Sequence, residues 1–94
     1  MDKAALIVNL DKKEAFTVAE KAIDWFNAKN KDYLIEKRAA FHLDERDKEA
    51  DYEKIKEEAD YVIIIGGDGT FLHSSHHFIG CDLPLLGINV GHLG

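Results

Sequence analysis

Asp60-Tyr-Val-Ile-Ile-Ile-Gly-Gly-Asp-Gly-Thr-Phe-Leu72 joins an unbroken apolar run to a cluster of glycines. From Tyr61 to Ile65 there is no polar alternation, which predicts a strand buried on both faces of a parallel sheet. The run ends at Gly66, and Gly67, Asp68, Gly69 and Thr70 lead into an apolar segment that can be helical. A strand, a glycine turn and a helix in succession place unpaired backbone N–H groups at the carboxyl edge of the sheet. Open α/β sheets bind ligands at that edge, and helix N-termini there favour phosphate. The three glycines allow close backbone approach and positive φ angles. Asp68 is the odd member, because a carboxylate repels a phosphate; it points to a hydroxyl to be deprotonated or to a bound cation.

Two familiar phosphate loops are excluded. The pattern G-x-G-x-x-G would begin at Gly67 and Gly69, but its third position is Leu72. The Walker pattern needs Gly-Lys-Ser/Thr, a tripeptide the chain lacks. The chain of 94 residues, 46% hydrophobic, suits one small globular domain. A net charge of −6 argues against nucleic-acid and polybasic membrane partners. The single cysteine, Cys81, excludes an internal disulfide framework and suits a reducing cytoplasm. No apolar run approaches the roughly 18 residues of a membrane span, and the N-terminus lacks a signal-peptide pattern. The expectation is a soluble, cytoplasmic protein.

Outward from the central stretch, Ala4-Ala-Leu-Ile-Val8 predicts a first buried strand, extending towards Leu10. From Glu14 to about Lys29, Ala15, Val18, Ala19, Ala22, Ile23 and Phe26 recur at helical spacing, with Phe16 and Trp25 widening the apolar stripe. Trp25 and Phe26 read as core residues. The helix stops near Asn30, and Tyr33-Leu-Ile35 begins a second, more polar strand placed near an edge. His42 to Asp51 reads as a solvated connector into a surface helix whose end is Tyr52 to Ala59. After the glycine turn a helix runs from about Thr70 to Ile79, with Gly80 as its C-cap. Pro84-Leu-Leu-Gly-Ile88 is a fourth strand, and Asn89 to Gly94 form a second glycine-bearing turn at the same edge. Strands alternating with helices predict an α/β fold with a doubly wound, mostly parallel open sheet. Because the chain stops inside a functional-looking loop, residues 1–94 read as the N-terminal α/β nucleotide-binding domain of a longer protein.

Gly66-Gly-Asp-Gly-Thr70 with Phe71-Leu72, then Pro84-Leu-Leu-Gly-Ile-Asn89 and Gly91-His-Leu-Gly94, resemble the NAD kinase family. The resemblance is specific over residues 60–94 and topological over residues 1–59. Diacylglycerol and sphingosine kinases look similar at the first block, but continue with a Gly-Thr-Gly-Asn-Asp type segment instead of the second. The resemblance implies phosphorylation of the adenosine 2′-hydroxyl of NAD to give NADP. It implies ATP with Mg²⁺ as donor, polyphosphate being used by some relatives. It assigns Asp68 as the catalytic base, and Gly66, Gly67, Gly69, Thr70 and Phe71 to the loop around the nucleotide. Asn89, Gly91, His92 and Leu93 would line the nucleotide cleft. It also implies a homodimer or homotetramer and a second, β-rich domain absent here, so residues 1–94 alone are expected to be inactive.

A carboxylate beside a helix N-terminus is stabilised as the anion, so Asp68 is expected to position the hydroxyl and take its proton late. The plain alternative is that Asp68 only caps the following helix, although Thr70 is also available as a cap. His73, His76 and His77 stand at metal-compatible spacings, but no carboxylate or cysteine joins them on that helix; no metal site is assigned. Cys81 has no basic neighbour and reads as an inert apolar residue. Two other functions compete with the NAD kinase reading. One is a lipid kinase of the same superfamily; the other is a non-catalytic NAD- or ATP-binding regulatory module, which would tolerate loss of Asp68.

Overall fold

The computed structural model describes residues 3–90. Strand β1 (Ala4–Val8) leads to helix α1 (Lys13–Ala28), strand β2 (Tyr33–Glu36) and helix α2 (Lys37–His42). A 3-10 turn at Arg46–Lys48 precedes the short strand β3 (Glu49–Ala50) and helix α3 (Tyr52–Glu58). Strand β4 (Tyr61–Gly66) and helix α4 (Asp68–Ser75) follow, then a 3-10 turn at His76–Phe78 and strand β5 (Leu85–Asn89). Among the described residues the strands form one sheet in the order β3-β2-β1-β4-β5, every pairing parallel. This is the doubly wound α/β architecture that the alternating pattern predicts.

Both faces of the sheet are covered, which is why β1 and β4 read as continuous apolar runs. Alternate side chains of each strand serve opposite layers. Ala4, Leu6 and Val8 pack with Ile63, Ile65 and α1, whose Ala15, Ala19, Ile23 and Phe26 repeat at helical spacing. Ala5 and Ile7 pack with Val62, Ile64, Ile55 of α3 and Phe78 on the other face. Helix α1 ends where expected. Asn30 takes a left-handed φ of 55°, and Lys31 N donates to Phe26 O at 2.8 Å, turning the chain out of the helix. Gly80 likewise has φ +84° after the His76–Phe78 turn, consistent with a chain reversal before β5.

Several local expectations fail for identifiable reasons. Trp25 is 48% exposed, because it lies one position beyond the stripe that Ile23 and Phe26 bury; it meets Phe26 edge-on at 5.7 Å. Strand β1 ends at Val8 and does not reach Leu10. Strand β2 is buried throughout and not at the edge, because β3 pairs outside it. The charged segment before Tyr52 is neither one loop nor part of a long helix. It contains the end of α2, a 3-10 turn and β3; α3 then starts afresh at an N-cap, where the Asp51 carboxylate accepts from Lys54 N at 2.8 Å. Helix α4 starts at Asp68, two residues before the expected Thr70.

Ile64 lies in the centre of β4 at 1% exposure, whereas Ile79 is 76% exposed. Ile64→Ala should cost about 2–5 kcal/mol in chemical denaturation, while Ile79→Ala should stay within about 0.5 kcal/mol. The Tyr33 phenol is pushed up to about 12 by burial, then by its bond to the Glu45 carboxylate, 2.8 Å away. Above pH ~10 the unfolded chain gives up this proton and the folded chain keeps it. Stability should therefore fall as pH rises from about 10 to about 12. Denaturation midpoints across that range should fall less steeply in Tyr33→Phe.

Candidate functional site

Parallel register brings three residues from distant parts of the chain to one level at the carboxyl edge. Gly66 of β4 is paired with Asn89 of β5, and Val8 of β1 with Ile65, so Asn9 follows on the other side of Gly66. Backbone bonds extend this row: Asn9 N donates to Ile65 O at 2.9 Å, and Val90 N to Gly66 O at 2.8 Å. The row lies at the junction of β1 and β4, where the strand order reverses. That junction is the ligand-binding position of open α/β sheets.

Helix α4 rises from this row. Its N-cap, Gly67, is extended and makes no side-chain cap bond. A Cβ on Gly66 would stand 2.7 Å from Thr70 Cβ and Oγ1, so glycine here lets the helix sit directly on its own strand. Gly87 plays the matching part under Phe71, whose ring would lie 2.8 Å from an added Cβ. Gly69 has nothing within 4 Å of its Cβ position, leaving that backbone open to approach. None of the three turn glycines takes a positive φ, which among the described glycines is confined to Gly80. Close approach, not backbone strain, explains Gly66.

Two asparagines grip the first turn of α4 from opposite sides. Asn89 Nδ2 donates to Asp68 Oδ1 at 3.0 Å, and Asn9 Nδ2 donates to Thr70 Oγ1 at 3.0 Å. Asn9 is itself held, because its Oδ1 accepts from Asp11 N at 2.9 Å. Neither Asp68 nor Thr70 therefore acts as a helix cap. Asp68 is exposed, and Oδ2 is left without a protein partner among the described residues. The structure thus brings Gly66, Gly67, Asp68, Gly69, Thr70, Phe71 and Asn89 to one sheet edge. Gly91, His92 and Leu93 lie outside the described residues.

The first turn of α4 separates two clefts. One, of about 410 Å³, lies between α4 and β5 and is lined by Asp68, Phe71, Leu72, Gly87, Ile88 and Asn89 among others. It is mostly apolar, with the Asp68 carboxylate at its rim. The other, of about 390 Å³, lies over the ends of β1 and β2 and is polar, with Asn9, Glu36, Arg38, Tyr52, Thr70 and Ser74 in its wall. Burial, then the negative charge of Glu36, raises the Tyr52 phenol above its usual range, with Arg38 opposing. Lys12 also reaches the turn: its Cε is 3.8 Å from the Cβ position of Gly67.

Sequence reasoning missed Asn9, Lys12 and Glu36. The available signal was positional: Asn9 directly follows the first buried strand, and Glu36 is the one acid in the apolar strand Tyr33–Glu36. Of the three histidines only His73 lies in α4; His76 and His77 fall in the 3-10 turn. His77 stacks on Tyr52 at 3.8 Å, and its ring is 5.7 Å from that of His73. Among the described residues no three His, Cys, Asp or Glu side chains gather as metal ligands. No helix there is long and apolar enough to cross a membrane.

Comparison with known proteins matches residues 4–94 to the model of the ATP-NAD kinase N-terminal domain. A protein of Chlorobium phaeobacteroides (strain BS1) named NAD kinase is 35% identical over 92 residues, covering 98% of this chain and 31% of the relative. A protein of Symbiobacterium thermophilum with the same name is 36% identical over 94 residues, covering 100% of this chain and 33% of the relative. A third, from Chlorobium limicola, is 37% identical over 92 residues, covering 98% and 31%. The chain spans about a third of the length of these curated relatives. A match over nearly every residue, on a doubly wound sheet whose glycine turn presents a held carboxylate, means that this chain belongs to the NAD kinase family.

Proposed function

We propose that the protein carrying this chain phosphorylates the adenosine 2′-hydroxyl of NAD, using ATP as donor, to give NADP and ADP. The observation that carries this reading is the Asp68 carboxylate: Asn89 holds one oxygen at 3.0 Å, the other has no partner among the described residues, and the group lines the apolar cleft next to Gly69, which lines the polar one. NAD occupies the apolar cleft, with its adenosine against Phe71 and Leu72 and its 2′-hydroxyl at Asp68. The resemblance assigns Gly91, His92 and Leu93 to nucleotide binding as well. The donor phosphates approach across Gly67, Gly69 and Thr70, where backbone N–H groups of the α4 N-terminus face them. Lys12 brings a positive charge to the same turn.

In the reaction the 2′-oxygen forms a bond to the γ-phosphorus, and the bond from that phosphorus to the β,γ-bridging oxygen breaks. ADP leaves with the bonding electrons, and the hydroxyl proton passes to Asp68. Phosphoryl transfer asks mainly for alignment and charge stabilisation. Asp68 therefore chiefly orients the hydroxyl and accepts its proton late. Mg²⁺ suits this site as a partner of the donor phosphates, with Asp68 as the carboxylate in reach, since Mg²⁺ is commonly held by one or two carboxylates plus substrate phosphates. A cytoplasmic homo-oligomer that binds small nucleotides, with a second domain completing the NAD site, is the setting we assign to this activity.

NADP formation from NAD, ATP and Mg²⁺ by the full-length protein tests the proposal. Asp68→Asn should lower kcat by roughly 10²–10⁴-fold. Turnover that survives this change would reduce Asp68 to a structural residue, and no NADP from a folded protein would sink the reading. Asn89→Ala should lower kcat by about tenfold with the fold retained, because the carboxylate loses its orienting bond. Combined with Asp68→Asn it should cost little more, as expected for two residues acting as one unit.

A further inference from the structure

The polar cleft over the ends of β1 and β2 contains groups that the transfer chemistry at Asp68 does not use. Glu36 closes β2 at 8% exposure. One carboxylate oxygen, Oε2, accepts from Arg38 N at 3.2 Å and lies 3.8 Å from Arg38 Nε. The other has no protein partner among the described residues. A buried carboxylate is costly unless its acceptor capacity is used, and here the cleft is the open direction. Ser74 gives a second, independent sign. It is 3% exposed, its hydroxyl has no partner among the described residues, and it lines the same cleft. The Tyr52 hydroxyl in that wall is likewise without a protein partner among the described residues. Acceptor and donor groups therefore converge on a space that the chain leaves unfilled.

We propose that this cleft takes the ribose of the phosphoryl-donor nucleotide, with Glu36 accepting hydrogen bonds from its 2′- and 3′-hydroxyls and Ser74 and Tyr52 completing the polar wall. The inference rests on the kinase reading above and deepens it by giving the donor's ribose a place in the chain. A vicinal diol offers two donors to a carboxylate, and an acid at the end of the second strand, beside β1, stands where doubly wound folds read a ribose. The neighbouring residues Asp68 and Gly69 line different clefts. A donor seated over Glu36 thus directs its phosphates across Gly69 and Thr70 towards the acceptor at Asp68. Inorganic polyphosphate carries no diol and gains nothing from Glu36.

The test compares ATP with 2′,3′-dideoxy-ATP in the full-length protein, with NAD saturating, for the wild type and Glu36→Gln. Gln keeps an oxygen for Arg38 N, so the start of α2 is preserved. The wild type should show a KM for dideoxy-ATP roughly 10- to 100-fold above that for ATP, the range of a hydrogen bond to a charged group. Glu36→Gln should raise the KM for ATP towards the dideoxy value while leaving the KM for NAD and the KM for dideoxy-ATP nearly unchanged. A wild type that uses both nucleotides equally overturns the proposal without any variant. So does a Glu36→Gln effect that falls on NAD instead of ATP. In both cases NADP still forms, so the kinase reading survives; absence of NADP in every assay would remove both.

Discussion

The seating of α4 on β4 is the constraint from which the rest of the site follows. Gly66 has no room for a Cβ, because Thr70 occupies that space at 2.7 Å. This contact fixes how close the helix sits to its strand. Its residues over β4 are accordingly small, Thr70 and Ser74, while Phe71 is accommodated by Gly87 of β5. A bulky stripe would lift the helix and carry Asp68 away from Asn89. The helix is thus held less by apolar area than by close approach and by two amide grips on its first turn.

Those grips give the site its symmetry of function. Asn89 orients the carboxylate on the β5 side, and Asn9 holds the Thr70 hydroxyl on the β1 side. Each amide comes from a strand neighbouring β4, so sheet register carries the accuracy of the site. Parallel strands buried on both faces are a rigid support for this purpose, because they are hydrogen-bonded along their edges and close-packed above and below. The clefts differ in character for the same reason. On one side Phe71 and Gly87 create apolar wall; on the other, the ends of β1 and β2 deliver polar side chains. The first turn of α4 thus divides an apolar cleft that includes Asp68 from a polar one that includes Gly69 and Thr70.

Much of the frame is legible in consecutive residues. Helix α1 announces itself through Ala15, Ala19, Ile23 and Phe26, and β1 and β4 through runs without polar alternation. The limits are equally physical. Two residues of β3 carry no periodic signal, and β3 forms because β2 offers an unpaired edge. Helix α2 is six residues long and starts on a cap supplied by Glu36, too short for its pattern to stand out. Trp25 misleads because hydrophobicity does not say which side of a stripe a residue occupies. The turn glycines stand out in the sequence, but the reason for Gly66 is steric clearance from Thr70, which depends on what lies opposite.

Consecutive residues alone specify the doubly wound class and a glycine turn at a strand end with Asp68 inside it. Local patterns suffice for these, since burial on two faces and helical spacing are written in neighbouring residues. It took the packed fold to bring Asn9 and Glu36 to that edge and to pair Asn9 with Thr70 and Asn89 with Asp68. Asn9 and Thr70 are 61 residues apart in the chain, and Asn89 and Asp68 are 21 apart. Their meeting depends on which strands pair and in which register, a property of the packed sheet that no local stretch encodes.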